Sequence, residues 1–120
     1  MGDRANICLK QNDGKDGGQI YMYTHWGGYG LAEILQNALI RGHDRWDDEQ
    51  YLGRIVFAEM IRDDIEGTTG VGLSTYLCDN EYPIIHVDSQ SQNVEIDGTI
   101  WSFVQYTSAK LQEINKVFRQ

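Results

Sequence analysis

The run Thr24-His25-Trp26-Gly27-Gly28-Tyr29-Gly30 gathers three glycines, two large rings and an imidazole into seven residues. Glycine lets a backbone come close to another group, while Trp26, Tyr29 and His25 offer flat faces and polar edges for holding one. Two ligand chemistries suit such a run. The rings can stack a planar molecule, and Gly27, Gly28 and Gly30 at a helix start can aim backbone N–H groups and the positive dipole end at an anion. The established phosphate-loop patterns are not met: no Lys-Ser/Thr pair follows, and Gly28-x-Gly30-x-x-Glu33 has an acid where the dinucleotide fingerprint has its last glycine. The plainest role is a helix start with Trp26 in the core.

Two further groups carry polar chemistry. His86 and Asp88 lie two apart on an inferred strand, so they share a face and form a weak candidate acid/base pair or half of a metal site. The other ligands would have to come from the distant His25 or His43, so no metal is expected, and no cofactor. His43, Arg45 and Trp46 form a second His/Trp patch, although Trp46 is most simply a hydrophobic staple packing on Tyr51 or Leu52. Ser74, Thr75, Ser89 and Ser91 have no nucleophile elbow or base at a recognisable spacing. Arg41, Arg45, Arg54 and Arg62 can hold a phosphate, or pair with Glu33, Asp48, Glu49, Glu59 and Asp63.

Elements that position these groups follow from periodicity. Ala5 to Lys10 and Gln19 to Thr24 alternate, with Ile7/Leu9 and Ile20/Met22 as apolar sets, and read as a hairpin joined by the polar connector Gln11 to Gly18. Tyr21 and Tyr23 fall on the opposite face, which helices or another subunit must cover. Leu31, Ile34, Leu35, Ala38 and Leu39 give a helix from about Tyr29 to Arg41, stopped by Gly42. Asp47 with Gln50 fits an N-cap and capping box for a second helix reaching Ile65. Val71 to Leu77, Ile84 to Asp88, Asn93 to Ile96 and Thr99 to Val104 read as strands, with Asp97-Gly98 a hairpin turn. Ser108 can cap a last helix with the stripe Leu111, Ile114, Val117 and Phe118, leaving Lys110, Lys116 and Arg119 exposed. The order ββ-αα-ββββ-α predicts an α+β fold, with helices on one face of an antiparallel sheet.

This order constrains the first run. The first helix is roughly 20 Å long at about 1.5 Å per residue, so the His43 patch cannot share a pocket with Gly28 in one chain. An antiparallel return of the second helix would instead bring Arg62, Asp63, Asp64 and the Thr68-Thr69 turn beside His25 and Trp26, with Tyr29 in the same cluster. The acids Asp63, Asp64 and Glu66 are unexpected at a helix C-terminus, where they face the negative dipole end.

At 120 residues and 41% hydrophobic, the chain suits one domain spanning residues 1–120. Its formal charge of −8 disfavours a nucleic-acid backbone as partner. No apolar stretch fits a signal peptide or membrane span, so a cytoplasmic protein is expected. Cys8 and Cys78 are too few for a disulfide scaffold and read as reduced, part-buried small hydrophobes.

The segments Gly2-Asp3-Arg4-Ala5-Asn6-Ile7, Tyr23-Thr24-His25-Trp26-Gly27-Gly28 and Arg45-Trp46-Asp47-Asp48 occur in that order, with Arg54 and Met60-Ile61 following. The chain thereby resembles a small phage- and prophage-associated protein family to which no activity is assigned, over the stretch from its N-terminus to about His86 and Asp88. What the resemblance implies is a small accessory protein of phage type, acting in the host cytoplasm, with antagonism of host defence as one employment. Three readings follow. The first is a non-enzymatic, homo-oligomeric binder holding a nucleotide-like or other anionic small ligand at the Gly/aromatic loop. The second is a hydrolase using His and carboxylate acid–base chemistry on a nucleotide-like substrate. The third is an acidic inhibitor that binds a host protein.

Overall fold

A computed structural model describes residues 2–12 and 16–120. Its order is β1 (Ala5–Lys10), β2 (Gln19–Thr24), α1 (Leu31–Arg41), α2 (Glu49–Met60), β3 (Val71–Ser74), β4 (Ile85–Asp88), β5 (Asn93–Ile96), β6 (Thr99–Ser102), α3 (Phe103–Ser108) and α4 (Leu111–Phe118). Single 3-10 turns at Gly28–Gly30 and His43–Arg45 precede α1 and α2. The class is α+β, with the last helical region split into two helices. The connector tip at residues 13–15 lies outside the described residues.

The six strands form one sheet in the order β3-β2-β1-β4-β5-β6. Alternation fixes which side faces inward, because Ile7 lies opposite both Met22 and Ile85, and Ile85 lies opposite Ile96. These residues, with Ala5, Leu9, Val87 and Val94, are buried against Leu31, Leu35, Leu39, Leu52, Val56, Phe103, Ile114 and Phe118 from the helices. All four helices therefore cover one face. The Tyr106 hydroxyl, buried in this layer, donates to the Ala32 carbonyl at 2.8 Å and ties α3 to α1.

The sheet is mixed, not wholly antiparallel, because β4 pairs with β1 in parallel. After β3 the chain does not reverse. Residues 75–84 pass back across the open face to the far side of β1, held there by Asn6 Nδ2 donating to the Asp79 carbonyl at 3.0 Å and by the Glu81 N–H donating to the Arg4 carbonyl at 2.8 Å. This segment, and not a helix, lies over Asn6 and Tyr23.

Local boundaries differ from expectation at caps. Asp48, not Asp47, caps α2, its carboxylate accepting the Tyr51 N–H at 3.2 Å. Helix α2 ends at Met60, so Asp63, Asp64 and Glu66 sit in the turns beyond it and not on its negative end. Ser102 caps α3 through a reciprocal capping box with Gln105, whereas Ser108 closes that helix and Lys110 precedes α4. The Asp97-Gly98 turn forms as expected, with φ of 49° and 86°.

Candidate functional site

The Gly/aromatic run is held from beneath by the N-terminal segment. Gly28 N–H donates to the Asp3 carbonyl at 2.8 Å, Tyr29 N–H to Asp3 Oδ2 at 2.8 Å and Gly27 N–H to Thr24 Oγ1 at 3.0 Å. Two of the three glycine donors expected to cradle an anion, those of Gly27 and Gly28, are thus bonded within the protein, and the Asp3 carboxylate sits at the positive helix start. Gly28 is required by this approach. A Cβ there would lie 2.5 Å from the Asp3 carbonyl oxygen. Asp3 Oδ1 also accepts the Tyr82 hydroxyl, and this hydrogen bond is the main reason the Tyr82 phenol is pushed up to about 12.

The rings meet a different fate from the glycines. Trp26 is 60% exposed and Tyr29 61% exposed, so Trp26 is not a core residue. Both are nevertheless fixed. Trp26 lies over Gly70, which the His25 N–H anchors through its carbonyl at 2.8 Å, and Trp26 meets the His25 ring edge-on at 4.9 Å. The Tyr23 hydroxyl shares a hydrogen bond of 2.7 Å with His25 Nδ1, which orients that imidazole. Arg119 stacks its guanidinium 3.4 Å above the Tyr29 ring while its Nε donates to the Tyr29 carbonyl at 2.8 Å. Trp26 with His25, and Tyr29 with Arg119, are thus two exposed ring contacts on the same loop, the second carrying a cation.

Arg62 and Asp63 line a shallow depression with Ile34, Glu59, Met60 and Asp64, which His25, Trp26 and Tyr29 do not line. The nearly buried Glu59 carboxylate binds Arg41 and Arg62, each at 3.1 Å, so this arginine is held by an ion-pair network. The antiparallel return does bring the end of α2 to Ile34 on α1. It gives Arg62 a carboxylate partner and not an aromatic one.

At the second patch, Trp46 packs at the margin of the core. Its Nε1 donates to the Leu39 carbonyl at 2.9 Å, and its ring meets Phe103 at 5.5 Å and His43 at 4.6 Å. It therefore fastens the α1–α2 connection to α1 and α3 instead of stapling onto Tyr51. Tyr51 lies under Arg45, whose guanidinium is 5.5 Å from the ring centroid. His43 and Arg45 stay exposed.

His86 and Asp88 do share a face. They line an open-face cleft of about 590 Å³ together with Cys8, Lys10, Asn93, Glu95 and Ile100. Register places His86 opposite Cys8 on β1 and Glu95 on β5. Asp88, however, is committed to its turn. Burial would raise its carboxyl, but hydrogen bonds from Asn12 and from the Gln90 and Ser91 backbone outweigh this and lower it. A carboxylate so held is a poor general base near neutral pH. Burial pushes the Cys8 thiol up, whereas Cys78 is exposed, so only one of the two cysteines is a buried apolar residue.

Comparisons with known proteins found no matching family model, curated protein or solved structure. Among the described residues, no cluster of three or more His, Cys, Asp or Glu could hold a metal ion, and no helix is long and apolar enough to cross a membrane.

Asp3, Arg119 and Glu95 are the participants that sequence reasoning did not find, whereas the turn at Thr68-Thr69 and Gly70 does lie beside His25 and Trp26. Asp3 and Arg119 come from opposite ends of the chain, and no local spacing links them to Tyr29. The only available signal was that α4 ends in a cation beyond its apolar stripe.

Proposed function

We propose that this protein is a non-enzymatic binder whose recognition surface is the His25-Trp26-Tyr29 platform, and that its ligand is a planar, nucleotide-like molecule. The observation that carries this reading is the exposure of Trp26 and Tyr29, 60% and 61%, in a loop whose His25, Gly27, Gly28 and Tyr29 N–H groups are all hydrogen-bonded. Rings held rigid in solvent lose little entropy when they capture a partner. The ligand's base stacks on Trp26, and its charged portion meets the Arg119 guanidinium and the His25 edge. The Gly27, Gly28 and Tyr29 N–H groups, already bonded, take no part, which shifts the anion contact from backbone to side chain.

Acid–base hydrolysis has less support, since Asp88 is held ionised in a turn and His25 is engaged by Tyr23. The motif resemblance supports a phage-type accessory role in the host cytoplasm, with sequestration of a signalling nucleotide as the natural use of a binder that performs no chemistry. The charge of −8 favours a second reading, an acidic inhibitor of a basic host protein.

A thermal-shift series over mono-, di- and cyclic nucleotides tests the first reading. The expected result is a rise in Tm with at least one nucleotide, lost in Trp26→Ala, whose far-UV circular dichroism stays unchanged, and recovery of that nucleotide intact after heat release. Recovery of a cleaved product would establish a hydrolase. Failure of every nucleotide, with salt-sensitive capture of a basic protein, would favour the inhibitor.

A further inference from the structure

The helix layer stops short of one edge of the sheet. Met22 lies opposite Leu73, and Leu9 opposite Ile20, on the face that carries the core, yet Leu73 is 57% exposed and Ile20 is only partly buried. Between these side chains and the flank of α2 runs a groove of about 320 Å³. Its helical wall follows from the period. Gln50, Arg54 and Phe57 recur at i, i+4 and i+7, so they share the flank that meets β2 and β3 across the groove. Gly53 beside them lets α2 settle onto β1, because a Cβ there would lie 3.0 Å from Leu9 Cδ2.

Arg54 gives the groove its chemistry. The other five arginines are engaged: Arg4 with Asp79 and Glu81, Arg41 and Arg62 with Glu59, Arg45 over Tyr51 and Arg119 over Tyr29. Arg54 has no ion pair, hydrogen bond or ring contact among the described residues, and its helical neighbours at i±3 and i±4 are Gln50, Tyr51, Phe57 and Ala58. In a chain with 18 acidic residues, one arginine is left unneutralised, and it stands beside an apolar groove. The carboxylate in the groove does not compensate it. Glu49 is 4% exposed, and both its oxygens accept the Asn12 N–H, at 3.0 and 2.9 Å.

We propose that this groove binds a small molecule with one flexible apolar tail and one anionic head, the chemistry of a medium-chain carboxylate. The tail lies on Ile20, Met22, Phe57 and Leu73, and the head pairs with the Arg54 guanidinium, whose planar fork matches a carboxylate. Size sets the tail. At about 320 Å³ the groove is at the lower end of the roughly 300–1,000 Å³ of small-molecule sites, which suits a single chain and is too small for a two-chain lipid. The formal charge of −8 repels an anion from afar, but screening over about 8 Å at physiological salt leaves the adjacent guanidinium dominant. None of His25, Trp26, Tyr29 and Arg119 lines the groove, so the two sites stand or fall separately.

Calorimetric titration of the intact protein with sodium decanoate below its micelle concentration, beside methyl NMR, tests the site. Saturable one-to-one binding is expected, with shifts at Ile20, Met22 and Leu73, and each methylene added from hexanoate to decanoate should tighten it roughly fourfold. Decanol should bind about tenfold more weakly than decanoate. Arg54→Gln, at an exposed side chain, should weaken decanoate about tenfold and leave decanol unchanged. Leu73→Asp should abolish binding of both, whereas Lys116→Gln, which removes a cation on α4, should change neither. No saturable binding, decanol as tight as decanoate, or wild-type affinity in Arg54→Gln would each overturn the proposal. Shifts of the same methyls with protein concentration alone would assign the groove to a second copy and overturn it as well.

Discussion

At Gly28 a Cβ would sit 2.5 Å from the Asp3 carbonyl oxygen and 2.7 Å from the Tyr82 ring, so neither backbone nor ring leaves room for it. Gly28→Ala should therefore cost about 1–3 kcal/mol, seen as a lower urea midpoint with unchanged m-value. Tyr82 supplies a pH-dependent counterpart. Its folded value of about 12 exceeds the ordinary 10.0 because the neutral phenol donates to Asp3, so the contact contributes fully below pH 10.0 and is lost as the pH rises toward 12. Urea midpoints of wild type and Tyr82→Phe should differ more at about pH 8 than at about pH 11.5, where ionisation of the phenol in the unfolded chain has removed most of what the contact contributes. A gap that widens with pH would show that the Asp3 hydrogen bond is not its source. Trp26 teaches the opposite lesson from Gly28. Its size suggested burial, yet the Gly70 turn gives it a surface to lie on and leaves one face in solvent.

Helices and strands were legible wherever a buried stripe imposed a period. β1, β2, β4, β5, the body of α1 and the Asp97-Gly98 turn stand where alternation or 3.6-residue spacing put them, because one face of each is buried in a common core. Caps were less legible. Adjacent Asp47 and Asp48 are equivalent in composition, and only the chain's path decides which carboxylate reaches the Tyr51 N–H. The split of the last helical region was hidden for a related reason. Phe103 and Tyr106 look like a strand end and a loop until the Ser102–Gln105 capping box turns them into a helix that covers the core. Ser102→Ala should cost about 1 kcal/mol, since its hydroxyl oxygen accepts the Gln105 N–H that the start of a short helix would otherwise leave unsatisfied. Amide exchange within residues 103–108 should speed up before that of α1. Equal protection in variant and wild type would mean that packing alone holds α3.

One set of buried side chains runs through β1, β2, β4, β5 and all four helices. Unfolding followed by tryptophan fluorescence and by far-UV circular dichroism should then give one coincident transition, as a single domain requires. Two separated midpoints would divide the chain into independent parts. Alternation of Ile7, Leu9, Ile20 and Met22, the stripes of α1 and α4, and the acidic balance were decided by the sequence alone, because each depends on neighbours a few residues away. Tertiary structure alone decided that β4 joins β1 in parallel, that Asp3 fills the helix start meant for an anion, and that Arg119 reaches Tyr29 across 90 residues of chain. Those outcomes depend on which distant segments share the same space. A local period carries hydrophobic burial from residue to residue, but it has no term for a contact between the two ends of a chain.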